Sequence, residues 1–109
     1  MSTNTEFSAC FVTVPNEDVG KKLAYSIVEG KLAACVNILP QVKSIYVWES
    51  KIQEDSELIL MIKTQHSKVP ALIEHVKQNH PYSVPEVIEL PILQGNPAYL
   101  KWITDSVEK

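Results

Sequence analysis

Residues 31–64, KLAACVNILPQVKSIYVWESKIQEDSELILMIKT, predict a long β-hairpin that decides the fold. Two runs rich in β-branched and aromatic residues flank a polar turn at residues 49–51, and Pro40 marks a soft break in the first run. The second run is apolar on both faces, one formed by Leu58, Leu60 and Ile62 and the other by Ile59 and Met61. A strand that is apolar on both faces is covered on both faces. We therefore expect the chain's own helices to cover one face and another subunit to cover the other.

The chain before the hairpin predicts one strand and one helix. Residues 7–14 form the strand, and Asn16 is a good N-cap for the helix that follows. Gly30 follows the last apolar turn and predicts the end of this helix. Helical spacing of apolar residues is seen at Val19, Leu23 and Ile27.

The chain after the hairpin predicts a helix, a strand and a final helix. Ser67 is the expected N-cap of the second helix, with Pro70 in its first turn, where a missing N–H costs nothing. Residues 86–93 predict a fourth strand, and Pro91 indicates an edge position or a bulge. Asn96 and the proline after it predict the start of a short third helix.

This order of elements, β-α-β-β-α-β plus a terminal helix, predicts an α+β fold of the ferredoxin-like type with a long central hairpin. Right-handed crossovers place both main helices on the same sheet face. The third helix is too short to cover the opposite face, so we expect a closed homo-oligomer. Residues 1–6 are expected to form a flexible tail, and residues 7–109 a single domain.

The composition excludes several classes of function. The chain has 109 residues and a net charge of −3, and its ten basic residues are all lysines. An acidic chain without arginine is a poor candidate for binding nucleic acid or anionic membranes. The first residues lack an apolar signal region, and the two cysteines, Cys10 and Cys35, are expected to be reduced thiols. These observations predict a cytoplasmic protein.

Enzymatic activity has no support in the sequence. We find no GxSxG, HExxH or Walker motif, and three glycines are too few for a phosphate-binding loop. Acidic residues gather near the hairpin turn, where they predict a solvated flank or a weak site for divalent cations. They are Glu54, Asp55 and Glu57. We therefore predict a protein that is not an enzyme and requires no cofactor.

Four separated motifs carry a resemblance to a known family: KLAACVN at 31–37, YVWESKI at 46–52, HPYSVPE at 80–86 and NPAYLKW at 96–102. Together they resemble the CutA divalent-cation-tolerance family over about residues 7–107. The resemblance implies a ferredoxin-like subunit, a homotrimer built by pairing long strands between subunits, and a link to copper tolerance and copper(II) binding. It also implies an architecture similar to the PII signalling trimers.

The copper ligands that the resemblance implies are only partly present. The family's ligand positions fall on Val12, Asn79 and His80, and only His80 is a good copper ligand. The candidate metal ligands for copper(II) or another divalent cation are therefore His80, Cys35 and Glu86. An alternative for His80 is a cap on the carbonyls at the end of the second helix, and for Cys35 a small core residue.

Six residues are expected to meet in a cleft or at a subunit interface: Tyr46, Trp48, Glu57, Lys63, Tyr82 and Trp102. One interpretation is interface packing by aromatics and Lys–Glu pairs. The other is an inter-subunit pocket for a small metabolite. The second interpretation defines the alternative function, a PII-like signalling or scaffold trimer that binds a metabolite or a protein partner.

Overall fold

The computed structural model describes residues 6–108, so residues 1–5 of the predicted tail lie outside the described residues. The elements are β1 (Phe7–Val14), α1 (Glu17–Glu29), β2 (Cys35–Trp48), β3 (Lys51–Gln65), α2 (Val69–Asn79), β4 (Ile88–Pro91) and α3 (Pro97–Val107). All described strand pairs are antiparallel, and the strand order in the sheet is β2-β3-β1-β4. This is the order of a ferredoxin-like fold, so the predicted fold class is confirmed.

The long hairpin forms as predicted. β2 pairs with β3 from Cys35 opposite Lys63 to Trp48 opposite Lys51. Glu49 and Ser50 connect the strands with φ angles of 51° and 65°, the left-handed region that a two-residue type I′ turn requires. The register shifts between residues 39 and 42, where Gln41 has a φ of 63°, so the soft break predicted at Pro40 is confirmed.

One sheet face is covered by α1 and α2. The core there joins residues of alternating position in β1 and β3 to the apolar stripes of the two helices. Its buried members include Cys10, Val12, Val14, Leu23, Ile27, Leu60, Ile62, Leu72 and Val76. The period-2 alternation predicted for the return strand is therefore confirmed, and the sheet presents its other set of side chains to the opposite face.

The opposite face is covered only at one end. There α3 packs Ile103 against Phe7 and Ala34, and Gln65 donates a hydrogen bond to Thr104 at 2.9 Å. Farther along this face, Phe11, Ile59 and Met61 are only partly buried. The hairpin extends beyond the helices, and its end carries exposed apolar side chains: Ile45, Val47, Trp48 and Ile52.

Two local expectations need correction. Ser67 is not a helix N-cap, because it lies in a 3₁₀ turn (His66–Lys68) and α2 begins after Lys68, which makes no side-chain cap. The fourth strand is shorter than the predicted 86–93, because β1 pairs with it only from Ser8 to Phe11. Pro91 does lie on the edge strand, as predicted.

The ends of α1 follow the sequence signals. The Asn16 side chain accepts a hydrogen bond from the Val19 N–H at 2.9 Å, which confirms the predicted N-cap. Gly30 is the C-cap with a φ of −80°, and the left-handed conformation falls on Lys31 with a φ of 58°. Among residues 6–108, no helix is long and apolar enough to cross a bilayer.

The hairpin turn gives a first prediction. Ser50→Gly should raise the free energy of unfolding by about 0.5–1 kcal/mol, because glycine adopts a left-handed φ without the steric cost that a side chain brings. Chemical denaturation of the purified protein measures the change. Ser56→Gly is the matched control within β3, and it should lower stability by about 0.5–1 kcal/mol. Equal losses in both variants would contradict the prediction.

Candidate functional site

A cavity of about 650 Å³ lies on the sheet face opposite α1 and α2, between the hairpin and the chain that leads from α2 to β4. Glu57 and Asp55 alternate with Leu58 and Leu60, which face the helices, so both carboxylates point to the cavity side. We call this the acidic cavity. It is lined by Thr13, Ser44, Ile45, Tyr46, Trp48, Asp55, Glu57, Tyr82, Ser83, Val84 and Glu86.

His80 anchors the segment that closes this cavity. Its Nε2 lies 2.7 Å from the carbonyl oxygen of Thr13, and its Nδ1 lies 3.1 Å from the backbone nitrogen of Tyr82. A carbonyl only accepts and a backbone N–H only donates, so this geometry selects the neutral tautomer with the proton on Nε2. The His80 side chain is buried, and both of its ring nitrogens are used.

The Thr13 carbonyl needs this donor because β4 ends too early to supply one. The Phe7 carbonyl already accepts a hydrogen bond from Ile92 at 2.9 Å, which places alternate carbonyls of β1 on the β4 side. β4 pairs with β1 only as far as Phe11, so the carbonyl at Thr13 lies beyond its reach. His80 therefore continues the hydrogen bonding of this edge where the strand stops. Its acceptor is a strand carbonyl, not the carbonyls at the end of α2 that the alternative prediction named.

The structure does not bring the three predicted metal ligands together. Both ring nitrogens of His80 are hydrogen-bonded to the backbone, and the Cys35 thiol lies 3.7 Å from the Asn37 side-chain oxygen in β2. Glu86 alone of the three lines the acidic cavity. Within residues 6–108, no group of three or more His, Cys, Asp or Glu side chains is arranged to hold a metal ion.

The two other positions that correspond to the family's copper ligands have structural roles. Val12 is fully buried in the core beneath α1 and α2, on the face away from the acidic cavity. The Asn79 side chain donates a hydrogen bond to the His75 carbonyl at 2.8 Å, within α2. Neither residue faces His80 with a group that could coordinate copper.

Two tyrosine–carboxylate pairs form the polar wall of the cavity. The Tyr82 hydroxyl donates to Glu57 Oε2 at 2.6 Å, and the Tyr46 hydroxyl donates to Asp55. Desolvation, and then the hydrogen bond to Glu57, raises the pKa of Tyr82 well above its usual 10.0. The hydrogen bond to Asp55 is the main cause that raises the pKa of Tyr46. Both phenols therefore remain neutral donors at physiological pH.

The six predicted cleft residues form two groups in a single chain. Tyr46, Trp48, Glu57 and Tyr82 all line the acidic cavity. Lys63 and Trp102 do not line it: the Lys63 amine lies 5.7 Å from the Tyr99 ring centroid, and the rings of Tyr99 and Trp102 are 5.4 Å apart. This second group lies near α3.

The acidic run near the hairpin turn is divided between the two sheet faces. Asp55 and Glu57 line the cavity, whereas the Glu54 carboxylate lies 3.9 Å from the Lys43 amine on the other face. The expectation of a solvated flank is therefore wrong for Glu57, which is buried, whereas Asp55 is half-buried. The strict alternation of side chains along β3 is the sequence signal that places Glu54 on one sheet face and the other two carboxylates on the opposite face. The roles of Thr13 and Ser83 in the lining were missed, because they depend on contacts between distant segments.

Two further polar clusters contain histidine. Glu89 accepts hydrogen bonds at the same oxygen from Ser8 at 2.6 Å and from His66 at 2.5 Å, and these bonds lower its pKa, with that from Ser8 the larger cause. Ser26 donates to a backbone carbonyl of its own helix at 2.9 Å while its oxygen lies 2.8 Å from His75. In neither cluster does a histidine accept the proton of a serine, so neither forms an activated nucleophile.

Comparison with known proteins gives a consistent result. A family model described as "CutA1 divalent ion tolerance protein" matches residues 8–106. The "Protein CutA homolog" of Xenopus laevis is 60% identical over 100 residues, which are 92% of this chain and 66% of that protein. The "Divalent-cation tolerance protein CutA" of Thermus thermophilus is 48% identical over 95 residues, 87% of this chain and 92% of that protein.

The solved structures agree with the sequence comparisons. The crystal structure of CutA1 from Oryza sativa superposes with a TM-score of 0.93 at 54% identity, covering 99% of both chains. The chain spans 56–66% of the length of the vertebrate relatives from frog, mouse and human.

Tyr82 gives a second prediction. Tyr82→Phe should lower the free energy of unfolding at neutral pH by about 1–3 kcal/mol, because the variant loses a hydrogen bond to a buried carboxylate. The raised pKa of Tyr82 stabilises the folded state below about pH 10, and this contribution is lost as the pH rises further. Between pH 10 and 11, the stability of the variant should therefore fall less steeply than that of the wild type.

Urea denaturation across pH 7–11 measures both effects. The matched control is Tyr25→Phe, because Tyr25 lies exposed on α1, and its stability profile should follow the wild type. Identical slopes for the wild type and Tyr82→Phe above pH 10 would contradict the assignment.

Proposed function

The chain belongs to the CutA1 divalent ion tolerance family, and on this premise we propose that it acts in tolerance to divalent cations, chiefly copper(II), as a cytoplasmic homotrimer without enzymatic activity. The family match over residues 8–106 is the observation that carries the proposal. The Thermus thermophilus relative, of which this chain covers 92%, is named for divalent-cation tolerance. The two free cysteines support a reducing compartment.

Exposed apolar surface supports the trimer. In a single chain, Ile45, Val47 and Ile52 at the end of the hairpin are 68%, 67% and 77% exposed. The two edge strands, β2 and β4, present backbone groups that no strand of the described chain pairs, and β4 adds exposed Ile88 and Leu90. An open edge beside exposed apolar residues favours pairing with another copy of the chain. Because a ring pairs each long hairpin with a neighbour, it closes these edges without leaving a free end.

The chemistry of the potential nucleophiles supports a protein that is not an enzyme. Cys10 is buried, and desolvation, together with the nearby Glu89 charge, raises the pKa of its thiol to about 11. A thiol with this pKa is protonated and unreactive at neutral pH. Ser26, whose hydroxyl oxygen lies 2.8 Å from His75, donates its proton to a backbone carbonyl of its own helix, so this contact is structural.

Copper(II) binding is the part of the proposal that rests on the family alone. The predicted ligands do not fit copper in a single chain, because His80 has no free ring nitrogen and Cys35 and Glu86 do not join it. We therefore derive no copper step from these residues. The PII-like alternative receives no support from the relatives named above, and we do not develop it as a second function.

The trimer gives a third prediction. Sedimentation equilibrium should give a native mass of three times the 12.3 kDa subunit. Trp48→Ala should raise the concentration at which the trimer dissociates more than His80→Ala does, because Trp48 lies exposed on the hairpin while His80 is buried within the subunit. Equal dissociation midpoints for the two variants, or a native mass near one subunit, would contradict this part of the proposal.

The copper part gives a fourth prediction. Calorimetric titration with copper(II) should show uptake by the wild type, and His80→Ala should change the affinity by less than about threefold, because both ring nitrogens are engaged. His66→Ala is the control for copper held by an exposed imidazole. Loss of copper binding in His80→Ala alone, with the fold retained, would make His80 a ligand. No uptake by the wild type would exclude copper as the cation.

A further inference from the structure

We call the sheet face opposite α1 and α2 the open face, and it carries opposite charges at its two ends. At one end, Asp55 and Glu57 line the acidic cavity, and the described residues of that lining include no lysine or histidine. At the other end, Lys63 alternates with the buried Ile62 and Thr64, so its side chain lies on the open face beside α3. A single chain therefore presents an acidic patch and a basic residue on the same face.

The two ends cannot neutralise each other within one chain. Lys63 and Glu57 lie six residues apart on β3, and the rise of a strand separates them by about 20 Å. The Lys63 amine instead lies 5.7 Å from the Tyr99 ring centroid, and none of the ion pairs within residues 6–108 involves Lys63 or Glu57. Both side chains therefore lack a counter-charge in the described part of a single chain.

The missing counter-charge is most costly at Glu57. This residue is only 7% exposed in a single chain, and its one hydrogen-bond donor among residues 6–108 is the neutral hydroxyl of Tyr82. A neutral donor leaves the negative charge in place, and burial of a carboxylate is unfavourable unless a positive group lies near it. The hairpin end around the cavity is the surface that we assign to contact between subunits, so we expect the positive group to come from another copy of the chain.

The Lys63 end of the open face has the properties of a matching surface. Tyr99 and Trp102 lie beside it, 38% and 45% exposed in a single chain, and aromatic side chains of this kind are enriched in protein interfaces. Glu57 belongs to the hairpin, which extends beyond the helices, whereas Lys63 lies where α3 covers the sheet. A contact between these two different surfaces is head-to-tail, and contacts of that type can close into a ring.

We propose that the Lys63 amine of one copy of the chain enters the acidic cavity of the next copy and pairs there with the Glu57 carboxylate. The Tyr82 hydroxyl holds one oxygen of Glu57 and leaves the other for the amine. This inference rests on the proposed homotrimer and deepens it, because it names charged groups that meet between subunits and makes the cavity a site that two chains complete. The pair also favours one alignment of the two surfaces, since an alignment that brings like charges together is repelled.

The test is a double-mutant cycle on trimer dissociation, measured by sedimentation equilibrium of the full chain at one urea concentration that brings dissociation into range. Lys63→Gln and Glu57→Gln should each raise the concentration of half-dissociation by at least about tenfold, because each removes one charge of the pair. The double variant should dissociate no more readily than the weaker single variant, since one change already abolishes the pair. Within one chain the two residues are too far apart to couple, so non-additive effects report a contact between subunits.

Lys77→Gln is the matched control, because Lys77 lies exposed on α2, away from the open face, and this variant should dissociate like the wild type. If circular dichroism shows that Glu57→Gln is unfolded, Asp55→Asn takes its place in the cycle, since Asp55 lines the same cavity. A wild-type trimer in which the effects of the two changes multiply would overturn this inference alone. A monomeric wild type would overturn the proposed trimer as well. A native mass of two subunits with non-additive effects would refute the ring and support the pairing.

Discussion

The pairing of β3 with both β1 and β2 is the constraint on which the rest of the structure depends. β3 is paired with β1 from Phe7 opposite Gln65 to Val14 opposite Leu58, and with β2 along almost all of the hairpin. Because a strand alternates its side chains strictly, this double pairing fixes which residues of β3 face the helices and which face away. A slip by one residue would move Leu60 and Ile62 out of the core and place Met61 and Lys63 in it.

The same register positions the acidic cavity. It sends Glu57 and Asp55 to the face that the main helices leave open, and it sends Glu54 to Lys43 on the other side. The lining is then completed by a segment far away in sequence, which His80 fastens to the Thr13 carbonyl. The site therefore depends on two independent features: the alternation along one strand, and a single histidine that replaces a missing strand residue at the sheet edge.

Local signals in the sequence were sufficient for most of the fold. Asn16, Asn96 and the two apolar faces of the hairpin predicted their elements correctly, because capping and alternation depend on neighbouring residues. The length of β4 was overestimated, because it depends on where β1 finds a partner, which no local pattern records. Ser67 failed as a cap since the chain makes a 3₁₀ turn before Pro70. For the cavity, the sequence identified the aromatic and acidic lining residues. It did not show that Lys63 and Trp102 lie elsewhere, because that depends on contacts between distant segments of the chain.

The role of His80 shows why a residue at a ligand position of the family need not bind the metal ion. Where neighbouring positions supply a second and a third ligand, the energy of metal coordination can compensate for an imidazole that leaves its backbone contacts. Here the corresponding positions hold Val12 in the core and Asn79 bound to its own helix, so nothing compensates for the loss of two hydrogen bonds in a buried site. The hydrogen bonds of His80 to the backbone are therefore favoured over coordination of a metal ion. The same ring also holds the backbone of Tyr82, two residues later, whose hydroxyl donates to the buried carboxylate of Glu57, so His80 stabilises the wall of the cavity.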